Sequence, residues 1–119
     1  MENDAKEGAA MKLSFQFALD IIAYCEKLDA LKRFVISQQL LKAGTSIGAN
    51  IREAQSPESR ADFLHKLKIA LKEAEECEYW LLLCEHATSY PSPKNLLEDL
   101  LPIKKILNSS IYTAKRKIG

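Results

Sequence analysis

Residues 63–84 read FLHKLKIALKEAEECEYWLLLC. Phe63, Leu67, Ala70, Ala74, Cys77, Leu81 and Cys84 fall at alternating steps of four and three, which puts them on one face of an α-helix at heptad spacing for almost three repeats. Lys, Glu and His fill much of the sequence between them, so the opposite face belongs in water. Ala70, Ala74 and Cys77 are small, which invites another helix to approach closely at mid-length. A stripe of this length has to be covered by apolar faces elsewhere in the protein.

Working outward, Ser56-Pro57-Glu58 marks the start of this third helix: Ser as N-cap, Pro at the first helical position and an acid in the first turn. Its end is expected near Glu85. Downstream, Ser89-Tyr90-Pro91-Ser92-Pro93 is a loop, because Pro disfavours helix at itself and at the residue before it. Leu96, Leu100, Ile103, Leu107, Ile111, Ala114 and Ile118 then stay in phase across Pro102. This predicts one continuous, kinked fourth helix, with a late start at Asp99 as N-cap as the alternative.

Upstream, Leu40, Gly44, Ile47, Ile51 and Ala54 make the stripe of a second helix that restarts near Phe34. Two glycines inside a soluble helix each cost about 1 kcal/mol relative to Ala, so Gly44-x-x-x-Gly48 calls for close approach of another backbone. For the first helix, Met11, Phe15, Ala18, Ile22 and Cys25 form the stripe, widened by Leu19, Ile21 and Leu28, and the helix ends within Glu26–Asp29. Residues 1–10 are polar and are read as a flexible tail, leaving 11–118 as a single domain. Four amphipathic segments with short connections and no strand pattern give an all-α, antiparallel up-down-up-down four-helix bundle. Leu19, Ile21, Ile69, Trp80 and Leu83 lie off the main stripes and imply a second buried surface, most simply a contact between subunits of a homo-oligomer.

The 119 residues are 47% hydrophobic and 28% charged, and 17 Lys plus Arg against 16 Asp plus Glu leave a net charge of +1. No global field therefore draws the protein to nucleic acid or to an anionic membrane, and any such binding needs a local patch. Cys25, Cys77 and Cys84 are odd in number and contain no Cys-x-x-Cys pair, which points to a reducing compartment, the cytoplasm, rather than to a disulfide framework. No run approaches the roughly 20 apolar residues that span a bilayer, and the N-terminus lacks the pattern of an export signal.

The run from Gln39 to Ala54, QLLKAGTSIGANIREA, followed by Asp62-Phe63-x-x-Lys66 and by Ala70-Leu71-Lys72-Glu73-Ala74-x-x-x-Glu78-Tyr79-Trp80-Leu81, resembles a known family. It is similar to the four-helix-bundle proteins encoded by intervening sequences in bacterial 23S ribosomal RNA genes, sometimes labelled ribosomal proteins. The likeness runs from about Leu13 to Lys117. It implies a ring-like homopentamer, and relatives that act as accessory factors of diversity-generating retroelements are basic pentamers that bind RNA and a reverse transcriptase. This chain differs from those relatives in being almost neutral.

Ser46, Asn50 and Glu53 form a polar row one residue out of phase with Gly44, Ile47 and Ile51. Such a row serves either as a recognition surface or as an interhelical hydrogen-bond network that sets register. Lys104, Lys105, Lys115, Arg116 and Lys117 are the candidate basic patch: cations complement the dipole at a helix C-terminus, and repeated around a ring they would form a basic rim for RNA. Lys66, Lys68 and Lys72 are a second basic group, facing an acidic block of Glu73, Glu75, Glu76 and Glu78. Asp62-x-x-His65 has the spacing of two di-iron ligands, but the other histidine, His86, lacks a carboxylate at the matching position, so no metal and no cofactor is expected. Cys77 and Cys84 sit on the apolar stripe among acids, the opposite of an activated nucleophile's setting. Two readings stay open for a non-enzyme with no small-molecule substrate: an oligomeric scaffold that, through the basic patch, docks RNA or a nucleic-acid-processing protein, and a purely protein-facing structural homo-oligomer without nucleic-acid binding.

Overall fold

The computed structural model describes the backbone of residues 2–118 and the side chains of 5–118. Four helices make up the fold: α1 (Glu2–Ala30), α2 (Phe34–Glu53), α3 (Arg60–His86) and α4 (Lys94–Ile118), with no strand among the described residues. α1 packs on α2, α2 on α3, α3 on α4, and α4 returns to α1, while α1 has no backbone neighbour in α3 and α2 none in α4. The helices therefore form a closed cycle around one core. The molecule measures 47 × 23 × 21 Å, a length close to the roughly 44 Å that α1 spans at 1.5 Å per residue.

Three of the four stripes form the core as their spacing requires. Leu67, Ala70, Ala74, Cys77, Leu81 and Cys84 of α3 are buried, as are Leu96, Leu100, Ile103, Leu107, Ile111 and Ala114 of α4 and Leu40, Ile47, Ile51 and Ala54 beside α2's Gly44. At the ends of these stripes, Phe63 of α3 is only partly buried against the core and Ile118 of α4 is exposed. α4 runs without interruption through Pro102, which lies on its exposed side, so Asp99 starts nothing.

The first helix differs from its reading. Its buried line is Ala10, Ser14, Phe17, Ile21, Tyr24, Cys25 and Leu28, whereas Phe15 is 64% exposed and Ile22 and Leu19 are also exposed. The helix carries two apolar lines, and periodicity alone does not say which of them faces inward. α2 decides it: a Cβ on Gly44 would stand 2.8 Å from Ile21 Cγ1, and one on Gly48 would stand 3.2 Å from Ser14 Oγ and 3.4 Å from the Ser14 carbonyl oxygen. The glycine pair thus receives Ile21 and the Ser14 backbone, and the close approach happens within the chain. Further along this seam Ser37 Oγ donates to the Cys25 carbonyl (3.3 Å) and Cys25 Sγ donates to the Ser37 carbonyl (3.4 Å).

α1 also begins at Glu2 rather than at Met11. Ala5, Ala9 and Ala10 are strong helix formers, Ala10 is buried, and Lys6 Nζ donates to Ser109 Oγ of α4 at 2.8 Å. The N-cap of α3 is Ser59, not Ser56: its hydroxyl accepts from the Asp62 amide at 3.0 Å, and Asp62 Oδ2 accepts from the Glu58 amide at 3.1 Å. Two otherwise unsatisfied amides are paired in this way, and Pro57 falls in the connection before the helix. The turn after α1 needs a positive φ at Lys32 (63°), and the loop before α4 needs one at Ser89 (69°). Arg33 braces these two turns against each other, donating from Nη2 to Ser89 Oγ (3.1 Å) and lying 5.3 Å from the Tyr90 ring centroid.

Candidate functional site

The polar row on α2 is split between two tasks. Ser46 Oγ donates to the Lys42 carbonyl (2.6 Å) and Asn50 Nδ2 to the Ser46 carbonyl (2.8 Å), both one turn back on their own helix. Only Glu53 reaches across, pairing with Lys66 of α3 at 3.0 Å. The row therefore lies along the α2–α3 seam, where Glu73 is also held above its usual carboxylate range, by burial and by Glu76. At the far end of the same helix Trp80 packs edge-on against Tyr79, and its buried indole N–H has no hydrogen-bond partner.

The basic patch is also divided. Lys104 is half-buried and paired with Glu78 of α3 at 3.0 Å, so its charge is spent on the α3–α4 seam. Lys105, Lys115, Arg116 and Lys117 are exposed, and Arg116 lies 5.8 Å from the Tyr112 ring centroid. Lys117 and Arg60 contribute to a hollow of about 470 Å³ at one end of the fold, walled by Phe63, Ala114 and Ile118 and also lined by Glu7. Cations and an acid share that hollow.

Neither of the other chemical candidates converges. Among the described residues no group of three or more His, Cys, Asp or Glu side chains is placed to hold a metal. Asp62 is occupied by its cap, and His86 lies 3.6 Å from its neighbour Glu85. The three cysteines are free and buried. Burial pushes the Cys25 thiol up to about 11, with Ser37's hydrogen bond opposing, and pushes Cys77 and Cys84 upward as well. These are neutral thiols packed as small apolar groups. Tyr24 is raised too, chiefly by burial, and donates to the Pro91 carbonyl at 2.6 Å.

The largest unexplained features are apolar and exposed. Phe15, Leu19 and Ile22 run along the outside of α1, with Leu41 on α2. Met11, Phe15 and Ala18 face Thr45, Gly48, Ala49 and Arg52 across a hollow of about 390 Å³ at the α1–α2 seam. On the α3–α4 side Tyr79, Leu82, Leu101 and Tyr112 are exposed. The sequence reading put Phe15 and Ile22 in the core and overlooked Leu101, Tyr112 and Arg52. The spacing Leu101, Lys105, Asn108, Tyr112 would have shown a second line on α4, but two charged or amide members hide it. No described helix is long and apolar enough to cross a membrane.

Comparison with known proteins gives a family match and matches among solved structures. Residues 6–109 match the family described as 23S rRNA-intervening sequence protein. The fold also superposes with a TM-score of 0.81 on the crystal structure of a protein with unknown function from the S23 ribosomal protein family of Bacteroides thetaiotaomicron, at 46% sequence identity, covering 86% of this chain and 97% of that one. No curated protein matches the chain.

Proposed function

We propose, from the premise that the chain belongs to the 23S rRNA-intervening sequence protein family, that it is a non-catalytic scaffold working as a homo-oligomer of antiparallel up-down-up-down four-helix bundles. The observation that carries this reading is the exposed apolar surface at the α1–α2 seam, where Phe15 is 64% exposed although a large aromatic side chain gains most by burial. The antiparallel order is supported by the pairing of Cys25 with Ser37, Ile21 with Gly44 and Ser14 with Gly48, in which α2 numbering rises as α1 numbering falls. A pentamer is the assembly that the family resemblance implies, and the three free thiols support a cytoplasmic location.

A second reading adds RNA, or a protein that processes it, as cargo. It is favoured by Lys115, Arg116 and Lys117, which are exposed in the last turn of α4, with Lys105 three turns earlier. Multiplied around an assembly, these cations become a rim that a nearly neutral monomer lacks.

One sample tests both. Light scattering of the freshly purified protein is expected to give a multiple of the protomer mass at micromolar concentration, and a monomer mass would end the scaffold reading. On the RNA reading the same sample has a raised ratio of absorbance at 260 to 280 nm that falls after a high-salt wash. A protein-like ratio, together with no retention of single- or double-stranded RNA at low salt, removes RNA and leaves the scaffold.

A further inference from the structure

Beyond the scaffold reading, and independently of it, we infer that the hollow between the start of α3 and the end of α4 binds a small amphiphilic carboxylate, one acid group on a compact apolar body. The hollow holds about 470 Å³, within the range of small-molecule sites. The core runs out there. Phe63 opens the α3 stripe and Ile118 closes the α4 stripe, and both stay partly uncovered because their helices begin and end at this level. With Pro57 and Ala114 they make an apolar wall, and hydrocarbon laid on it leaves water. The site is also this chain's own. The family match ends at residue 109, and the α4 part of the lining, Ser110, Thr113, Ala114, Lys117 and Ile118, lies wholly beyond it.

Charge fixes the other half of the ligand. Arg60 and Lys117 both line the hollow, both are exposed, and neither is in an ion pair among the described residues. Lys115 and Arg116 stand in the same helical turn as Lys117 and raise the positive potential of that turn. Of the acids described at this end, Asp62 is held by the Glu58 amide and Glu7 lines the hollow. Two lining cations against one lining carboxylate suit a single added negative charge, whereas a dianion would bring a charge with no counterpart. Two hydroxyls add donors. Ser59 Oγ accepts from the Asp62 amide, so its own hydrogen remains for an acceptor, and Ser110 is half-buried with no hydrogen bond among the described residues.

The probe is hydrocinnamate, titrated into the full-length protein in whatever assembly it forms and followed by ligand-observed NMR, beside its neutral alcohol and its cationic amine. The acid is expected to bind saturably, with a Kd on the order of a millimolar or tighter, the alcohol more weakly and the amine least. Arg60→Gln combined with Lys117→Gln should weaken the acid by about fivefold and leave the alcohol unchanged. Glu7→Gln should tighten the acid, because it removes the one lining carboxylate. Ser110→Trp fills the hollow and should remove binding of acid and alcohol alike. Circular dichroism checks its helix content, and Thr113→Trp replaces it if helix is lost. The inference is overturned by no saturable binding, by acid and alcohol binding equally, or by wild-type affinity in the double Gln variant. Binding that survives the filled hollow overturns it too, since the acid then sits on the exposed apolar faces.

Discussion

Gly44 and Ile21 are matched across the α1–α2 seam so tightly that a Cβ on Gly44 would come 2.8 Å from Ile21 Cγ1 and 2.9 Å from Cγ2, closer than carbon atoms approach. Ile21 is fully buried there. The missing side chain on α2 is what lets α1 turn its Phe17–Ile21–Tyr24 line inward.

Gly44→Ala is therefore expected to lower stability despite Ala being the better helix former. Overpacking costs about 1–3 kcal/mol, against a gain of about 1 kcal/mol in helix propensity. Gly48→Ala meets Ser14 Oγ at 3.2 Å, which can rotate away, and should lose less. Urea unfolding measures both. In a double-mutant cycle, Ile21→Ala should cost less in the Gly44→Ala background than alone. A stabilised Gly44→Ala variant would contradict the close packing.

Ser59→Ala removes the hydroxyl that accepts from the Asp62 amide and should cost about 0.5–2 kcal/mol. Ser56→Ala, outside the helix, should stay within about 0.5 kcal/mol of wild type. Equal losses at the two positions would mean that α3 starts at Ser56 after all.

Alkaline pH should unfold the protein through its buried thiols and Tyr24. Their folded pKa values are raised, that of Cys25 to about 11 from an unfolded value near 9, mainly by burial. Above pH 9 the unfolded chain releases protons that the folded chain retains, so stability falls as pH rises. The contribution is complete below pH 9 and is lost as pH passes through 11 and beyond. Urea midpoints measured from pH 7 to 11 should be flat at first and then fall. Thiol alkylation at pH 8 should be slow for native protein and fast once it is unfolded.

If RNA is bound, the Lys115→Ala/Arg116→Ala/Lys117→Ala variant should bind more weakly and less salt-dependently. For single strands the slope of log affinity against log salt should flatten by about 2, roughly 0.7 per lost phosphate contact. Lys104→Ala should leave binding unchanged and lower stability instead, because its charge already neutralises Glu78 at 3.0 Å. Filter binding over a salt series, beside unfolding curves, separates the two.

Much of the fold is legible in the sequence. α3 and α4 have one dominant stripe each, and both stripes are the core. α2 announced a close approach through Gly44 and Gly48, and the approach is there. The start of α3 was misread because Ser56-Pro57 and Ser59 both carry helix-start chemistry, and only the geometry of the Asp62 amide selects between them. Of the candidate site residues, Ser46, Asn50, Glu53 and Lys104 are occupied within the chain, since a sequence shows a polar group but not the partner it bonds.

Sequence alone determined how many helices form, roughly where they break, and that the chain has more apolar surface than one core can hide, because spacing along a helix sets which residues share a face. Only the tertiary structure decided which of the two apolar lines on α1 is the core and which is left outside. That choice rests on what lies opposite: the notch of Gly44 admits Ile21, and Phe15 and Ile22, one step around the helix, have nothing within the chain to cover them.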